Sequence, residues 1–319
     1  MAPDGTGGFA ALKPEKFRHP DITADGQTRA KVTPGALRTL WFNTGTLCNL
    51  TCRNCYIESS PTNDRLAYLT RDEVCAYLTE AVQHNLGTTE IGFTGGEPFM
   101  NPDLFDMIDD SLTRGFKVIV LTNAMKPMAK VGERLLILSR RAGPHLTIRV
   151  SLDHYTPAGH EAERGPRSWE PTRAGLKWLT ANGFVVHVAG RTFMGESEAI
   201  ARAGYAALFQ AEGLGIDAHD PRQLVLFPEM DAARDVPEIT TACWGILNKS
   251  PSDVMCASSR MIVKRKGASS PAVVACTLLP YAAEFEMGTT LRQAHRPVHL
   301  NHPHCARFCV LGGAACSTG

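Results

Sequence analysis

The stretch LWFNTGTLCNLTCRNCY, residues 40–56, joins a short apolar run to a loop that carries three cysteines. Cys48, Cys52 and Cys55 have C-x3-C-x2-C spacing, which confines three thiols to one short loop. Three thiolates can hold three irons of a four-iron cluster and leave the fourth iron open to another ligand. The alternative is a zinc knuckle or three buried thiols that share a loop. Structural zinc sites usually have four ligands in two spaced pairs, so the spacing favours the iron–sulfur cluster.

A second stretch, EIGFTGGEPFMNPD at residues 90–103, places two glycines and a carboxylate at the end of the next apolar run. Gly95 and Gly96 let a ligand approach the backbone closely, and Glu97 adds an anionic group at the same tip. A ligand that carries an amino group would meet both features there. The sequence therefore predicts that this strand end and the cysteine loop face one site.

The segments around these two stretches alternate between apolar strands and helices. Continuous apolar runs are typical of parallel strands covered on both faces. The predicted strands are 40–44, 90–94, 117–122, 146–152, 185–190 and 223–227. The predicted helices are 70–84, with a Thr70–Glu73 capping box, a helix from Asn101-Pro102 to Gly115, 131–142, 171–182 and 196–212. Six such βα units predict an α/β fold, a partial (β/α)6 TIM-type barrel.

Changes in pattern along the chain predict three regions. Residues 1–38 form a polar amino-terminal arm or strap, and residues 39–235 form the barrel. Residues 236–319 contain six of the ten cysteines and little periodicity, so we expect a small cysteine-rich iron–sulfur extension.

The pairing of CNLTCRNCY with TGGEP resembles the radical S-adenosylmethionine (SAM) superfamily over roughly residues 39–235. The resemblance implies that the three loop cysteines bind a [4Fe-4S] cluster whose open iron is chelated by the amino and carboxylate groups of SAM. It implies that Gly95, Gly96 and Glu97 lie near the amine. Asn54 stands where the family often has an aromatic residue, and it would keep a backbone contact near adenine without a stacking ring.

The ends of later strands carry further candidate SAM contacts. The resemblance implies that Ser151 and Asp153, in VSLDHYTPAGHEAERG, contact the ribose or the methionyl end, with a solvated strand end as the equal alternative. Asn123, in LTNA, would face cofactor or substrate. Arg191 either pairs with a carboxylate or is an ordinary surface arginine, and Phe227 lies where the family closes over adenine.

The resemblance also implies a reaction. One electron from the cluster would cleave SAM to methionine and a 5′-deoxyadenosyl radical, which abstracts hydrogen from a small-molecule or peptide substrate. An electron donor such as flavodoxin or ferredoxin would reduce the cluster. Cys243, in a TACW segment, is either a buried thiol or a hydrogen donor to the product radical.

The carboxyl-terminal cysteines predict a second metal site. Cys256 and Cys276 end a predicted hairpin, and three more cysteines follow in HPHCARFCVLGGAACS. Four of the five would hold one auxiliary [4Fe-4S] cluster, and the pattern resembles twitch or SPASM extensions. The loop from Gly267 is longer than usual there, and His302 or His304 could substitute for a cysteine. The candidate ligands are Cys256, Cys276, Cys305, Cys309 and Cys316.

Composition argues against some classes of partner, and motifs argue against two alternative functions. With 33 basic and 32 acidic residues, the chain gives no electrostatic reason to expect nucleic acid. No export signal or spanning apolar run is visible, so we expect a cytoplasmic protein without a membrane partner. One rival is the molybdenum-cofactor cyclisation enzyme, which is expected to end in Gly-Arg-Arg where this chain ends ACSTG. The other is a non-catalytic iron–sulfur or zinc scaffold, which has no need of Gly95-Gly96-Glu97.

Overall fold

The core of the molecule is one curved, mostly parallel sheet with helices on its outer face. A computed structural model describes residues 10–193, 195–228 and 231–313. The strands are β1 (Lys31–Val32), β2 (Thr39–Asn43), β3 (Glu90–Thr94), β4 (Lys117–Thr122), β5 (Leu146–Ser151), β6 (Val185–Thr192), β7 (Leu224–Pro228), β8 (Ser259–Val263), β9 (Ala272–Val274) and β10 (Val298–His299). The helices are α1 (Arg71–Gln83), α2 (Leu104–Thr113), α3 (Lys126–Lys130), α4 (Gly132–Ala142), α5 (Pro157–Arg164), α6 (Trp169–Ala181), α7 (Glu198–Glu212), α8 (Cys243–Ile246) and α9 (Leu291–Ala294). Among the described residues, every helix is too short or too polar to cross a bilayer.

The six predicted strands are β2 to β7, and they pair in sequence order through parallel ladders. All five residues of β2 are buried, as the apolar run requires of a strand covered on both faces. Parallel strands align their carboxyl ends at one edge of the sheet. The cysteine loop after β2 and the Gly-Gly-Glu segment after β3 therefore meet at that edge, which confirms the α/β partial-barrel prediction.

The predicted hairpin of the cysteine-rich region extends this sheet. Strand β8 pairs parallel to β2 with Thr39 opposite Ser259, and β9 pairs antiparallel to β8 with Met261 opposite Val274. The full order is β7-β6-β5-β4-β3-β2-β8-β9. The barrel and the hairpin of the extension thus share one continuous sheet.

The prediction that α2 is capped by Asn101 and begins at Pro102 was wrong by two residues. The Asn101 amide donates to the carbonyl oxygens of Thr44 and Leu69, at 3.1 and 2.9 Å, and its side-chain oxygen accepts from the Asp103 amide. Asn101 is thereby held in a turn between two loops, and the helix starts at Leu104. The capping box of α1 is present as predicted.

The described part of the amino-terminal segment, residues 10–38, is a strap packed on the fold. Arg29 is buried and pairs with Glu238, and Lys16 pairs with Asp235. Strand β1 pairs antiparallel with β10, so the strap also pairs with a strand of the extension.

Candidate active site

Backbone hydrogen bonds tie the cysteine loop to the end of β3. The Thr44 amide donates to Thr94 O at 2.8 Å, the Gly96 amide to Gly45 O at 2.8 Å, and the Glu97 amide to Leu47 O at 3.1 Å. These bonds continue the β2–β3 pairing past the last strand residues. They fix the loop from which Cys48 projects.

The two glycines of this segment are required by that contact. A Cβ on Gly96 would lie 2.1 Å from Leu47 O, and a Cβ on Gly95 would lie 2.5 Å from Gly45 O. Gly95 also has φ +134°, a conformation that L side chains rarely adopt. Both glycines line the cavity described next, but glycine is required at these positions because two backbone segments pack closely there.

One cavity at the carboxyl ends of the strands gathers most of the predicted site. Its lining includes the predicted Cys48, Cys52, Cys55, Gly95, Gly96, Asn123, Ser151, Asp153, Arg191 and Phe227, together with Tyr56, Thr122 and Arg164. Cys48 is buried and the other two cysteines are half-buried, and all three are free thiols. Burial raises the pKa of Cys48 to about 12.

The chemistry of the thiols suits an iron–sulfur cluster. Within the described ranges, no three His, Cys, Asp or Glu side chains converge closely enough to hold one metal ion. A [4Fe-4S] cluster instead takes each thiolate on a separate iron. Three soft sulfur donors in the lining of one cavity suit such a cluster, and the two cations in the same lining suit the carboxylate of a ligand on its open iron.

Two arginines and one carboxylate form the charged wall of the cavity; Arg191 and Asp153 are buried, and the Arg164 side chain is 12% exposed. Asp153 lies 2.8 Å from Arg164 Nε and 3.3 Å from Arg191 Nε. The two cations hold the pKa of Asp153 below its ordinary value against the opposing effect of burial. The positive charge of Arg164 also acts to lower the pKa of Cys52, although burial raises it overall. The wall carries one net positive charge, which suits bound thiolates.

Arg164 was missed from the sequence, although it lies in the quoted segment VSLDHYTPAGHEAERG. Thr156 caps α5 by accepting a hydrogen bond from the Gly159 amide, and the eight-residue helix ends at Arg164. The capping Thr-Pro pair was the available signal that the chain folds back towards Asp153.

Glu97 lies behind the cavity wall, where it links strand ends. Its carboxylate is 1% exposed and accepts hydrogen bonds from the Thr122 hydroxyl at 2.8 Å and from the backbone amides of Asn123 and Phe99 at 2.9 and 3.3 Å. Burial raises the pKa of Glu97 to about 7, while these hydrogen bonds act to lower it. In this structure the carboxylate positions the β4 end. Asn123 in turn donates from its side chain to Asn49 Oδ1 at 2.9 Å.

Asn54 is held by two groups of the barrel. Its side chain donates to Glu163 Oε2 at 2.8 Å, and its carbonyl oxygen accepts from Arg191 at 3.1 Å. These contacts anchor the cysteine loop to α5 and β6. Its backbone is thus already bonded to a residue that lines the cavity.

The two remaining predicted residues differ in position: Phe227 lines the cavity and Cys243 does not. Phe227 lies within β7, one wall of the cavity, and its ring centroid is 5.4 Å from that of Phe308. Cys243 begins α8 and accepts a 3.4 Å hydrogen bond from the Thr240 amide. It is not among the described residues that line the cavity.

A second group of four cysteines lines a common cavity in the extension. Cys256 precedes β8, Cys276 follows β9, and Cys305 and Cys309 lie on a π-helix, Cys305–Leu311. The wider turn of a π-helix turns residues four apart towards one face. Burial and the neighbouring Cys276 and Cys256 thiols raise the pKa of Cys305 well above its ordinary value. Cys316 lies outside the described residues.

Two half-buried histidines and one buried arginine lie near this second group. His304 lines the cavity, whereas His302 lies beside it with ring centroids 4.7 Å apart. Arg260 is fully buried and donates to the carbonyl oxygens of Ala294 and Cys256. A buried guanidinium whose partners are carbonyls is stabilised by nearby negative charge, which thiolates would supply. Arg260 was not predicted from the sequence.

The chain belongs to the radical SAM superfamily, whose family model matches residues 42–201, half of the chain. The matched range includes both the cysteine loop and the Gly-Gly-Glu segment, so the family implies a [4Fe-4S] cluster and SAM.

Three curated relatives match this part of the chain. The antilisterial bacteriocin subtilosin biosynthesis protein AlbA of Bacillus subtilis is 31% identical over 46% of this chain and 31% of its own length. The AdoMet-dependent heme synthase of Methanosarcina barkeri is 29% identical over 43% of this chain and 37% of its own length. The PqqA peptide cyclase of Streptomyces rochei is 32% identical over 44% of this chain and 36% of its own length. The chain thus spans about a third of the length of these relatives.

Two solved structures share the fold. Streptococcus suis SuiB bound to the precursor peptide SuiA aligns with TM-score 0.55 and 12% identity, over 81% of this chain and 63% of that one. The anSMEcpe protein with bound AdoMet aligns with TM-score 0.57 and 14% identity, over 83% and 78%. At this identity the likeness establishes the fold.

Proposed function

We propose that the chain is a radical SAM oxidoreductase that abstracts hydrogen from a peptide substrate. The observation that carries the proposal is one cavity at the carboxyl ends of the strands, lined by three free thiols and by the Asp153–Arg164–Arg191 group. When bound there, the cluster and SAM supply a one-electron cleavage that yields a hydrogen-abstracting carbon radical.

The chain's own residues have three tasks in this proposal. Cys48, Cys52 and Cys55 would hold three irons, and the bonds from Gly96 and Glu97 keep their loop in place. Arg164 and Arg191 would face the carboxylate of SAM, with Asp153 fixing both guanidinium groups. The buried strand ends keep water from the site.

Anaerobic reconstitution with iron, sulfide, dithionite and SAM tests the proposal, with 5′-deoxyadenosine as the product measured. Cys52→Ala should abolish its formation. Cys75→Ala is the matched control, because Cys75 lies on α1 with its Sγ 3.0 Å from Asp110 Oδ2. Absence of 5′-deoxyadenosine from wild-type protein would refute the enzyme and leave the scaffold rival.

We further propose one auxiliary [4Fe-4S] cluster, held by Cys256, Cys276, Cys305 and Cys309. The support is their shared cavity and the buried Arg260 beside it. Reconstituted protein should contain about eight irons per chain, two four-iron clusters. The Cys305→Ala/Cys309→Ala variant should fall to about four, whereas Cys243→Ala should keep the full complement. A wild-type count near four would refute the auxiliary cluster.

The peptide substrate is supported by relatives whose names refer to bacteriocin biosynthesis and to peptide cyclisation. The heme synthase among them keeps a small molecule as the second candidate. A short peptide encoded beside the gene should lose hydrogen, detected by mass spectrometry, when incubated with enzyme, SAM and a reduced flavodoxin or ferredoxin. An unmodified peptide despite 5′-deoxyadenosine formation would favour the small molecule.

A further inference from the structure

A spacious groove lies between the amino-terminal strap and the extension. It has a volume of about 730 Å³. Its floor is formed by Ala275, Phe285, Met287 and Val298, all of them buried. It therefore offers an apolar surface at the junction of two segments that are distant in sequence.

Three exposed cations surround this floor. They are Arg18, Lys31 and Arg296. Arg18 donates to the backbone oxygen of Pro14 at 2.7 Å, and Arg296 donates to the backbone oxygen of Glu286 at 3.1 Å. These partners are carbonyl groups, so they do not neutralise the positive charges. Among the described residues, none of the three cations forms an ion pair. One exposed carboxylate, Glu284, shares the rim, which leaves a net positive groove.

The floor of the groove is also the wall of the four-cysteine cavity. Ala275, Phe285 and Val298 line both. A molecule seated in the groove would be separated from the cysteine group by a single layer of side chains. A substrate would gain nothing from this closeness, because it must reach the cavity lined by Cys48, Cys52 and Cys55, called here the SAM cavity.

The register of the sheet separates the two sites further. Cys256 precedes β8, whose first residues pair with the first residues of β2, so it lies at the amino end of these strands. Cys48 follows β2 at the opposite, carboxyl end. The five residues of β2 put roughly 16 Å between these edges. The groove, which shares its floor with the four-cysteine cavity, therefore lies towards the amino end of these strands.

We propose that this groove is the docking site of a small acidic one-electron carrier protein, flavodoxin or ferredoxin in type, that reduces the auxiliary centre. The inference rests on the proposed function. Each docking event passes one electron from the reduced carrier to the oxidised cluster held by the four cysteines. The carrier is oxidised by one electron, and no bond or proton is transferred.

The test compares two double variants of the full chain. Lys31→Glu/Arg296→Glu reverses two charges at the groove. Lys130→Glu/Arg140→Glu is the matched control, because both residues are exposed on α3 and α4 and neither forms an ion pair among the described residues. Thermal unfolding verifies that both variants are folded.

Binding of an acidic flavodoxin and of an acidic ferredoxin is measured by surface plasmon resonance, with apo and reconstituted protein, at low and high salt. The groove variant should bind about tenfold more weakly at low salt, with the difference reduced at high salt. The control should bind like wild type. Turnover driven by the carrier should fall in the groove variant, and turnover driven by dithionite should not change.

Equal carrier affinity in both double variants, or no binding of either carrier to wild type, would overturn the docking site. Binding of an acidic peptide that depends on Lys31 and Arg296, without carrier binding, would reassign the groove to a peptide. Failure of the proposed function is distinct, because it removes dithionite-driven 5′-deoxyadenosine formation and leaves binding to apo protein measurable.

Discussion

Replacing Gly96 by alanine tests the backbone contact on which the cysteine loop depends. The new Cβ would lie 2.1 Å from Leu47 O, 2.6 Å from Leu47 C and 2.8 Å from Thr46 O. Since ordinary contacts begin near 3.4 Å, the loop must retreat by more than 1 Å. The atoms struck are backbone, so no side-chain rotation relieves the clash.

The retreat has two energetic consequences. Overpacking costs about 1–3 kcal/mol, and weakening the bonds from the Gly96 and Glu97 amides costs about 1 kcal/mol more. We therefore expect the free energy of unfolding of Gly96→Ala apo protein to fall by about 2–4 kcal/mol. Because Cys48 moves with the loop, iron retained after reconstitution should fall as well.

Urea denaturation under argon measures the stability, and colorimetric iron analysis measures the cluster. Gly245→Ala is the matched control, because a Cβ there meets nothing within 4 Å and the site lies in α8. Alanine in a helix should leave stability unchanged or raise it by up to about 1 kcal/mol. A Gly96→Ala protein with wild-type stability and full iron would refute the packing argument.

Three further substitutions test the charges. The pKa of Glu97 is about 7 in the folded protein against an ordinary 4.5, so its contribution to the free energy of unfolding is full below pH 4.5 and is lost as the pH rises through 7. In urea titrations, the difference in the free energy of unfolding between wild-type and Glu97→Gln apo protein should therefore fall by up to about 3 kcal/mol across that window. A difference that does not change with pH would contradict this. Asp153→Asn leaves Arg164 and Arg191 without their anionic partner, so the free energy of unfolding, measured by thermal and urea denaturation, should fall by about 3–5 kcal/mol. Unchanged stability would show that the pairing is dispensable. Arg260→Gln removes a buried positive charge beside the four cysteines. In an EPR-monitored redox titration, the reduction potential of the auxiliary cluster should be lower by tens of millivolts, on the order expected for one charge, and that of the SAM cluster should be unchanged. Equal shifts in both reduction potentials would rule out a local effect.

The strands were predictable because each is buried on both faces, which demands a continuous apolar run. Residues 117–122 are assigned to β4 over the same range that the sequence predicts. The start of α2 was not predictable, since Asn101 is committed by its bonds to Thr44 and Leu69, which lie more than 30 residues away. Local capping preferences favour a helix that starts at Asn101, but the hydrogen bonds to these distant residues determine its conformation.

In the candidate site, too, the features set by local sequence were predictable and those set by distant contacts were not. The cysteine loop and the Gly-Gly-Glu segment could be placed together because parallel strands share a carboxyl edge. Arg260 could not be placed, because a buried arginine has the same local sequence as an exposed one and differs only in its distant partners. For Arg164, the Thr156-Pro157 cap indicates the helix that carries it but not the ion pair with Asp153. The burial of Glu97 likewise depends on Thr122, which belongs to the neighbouring strand.

The two cysteine groups are mechanically connected, although they lie at opposite ends of the β2–β8 pair. The π-helix that carries Cys305 and Cys309 also carries Phe308, whose ring packs on Phe227 in the wall of the SAM cavity. A cluster bound by the two helical cysteines would fix the helix, and the helix would fix that wall. Loss of the auxiliary cluster should therefore weaken SAM binding even in protein whose three-cysteine loop is fully loaded. Replacing Phe308 by alanine should reproduce that weakening with both clusters present, because it removes the contact and leaves every thiol in place.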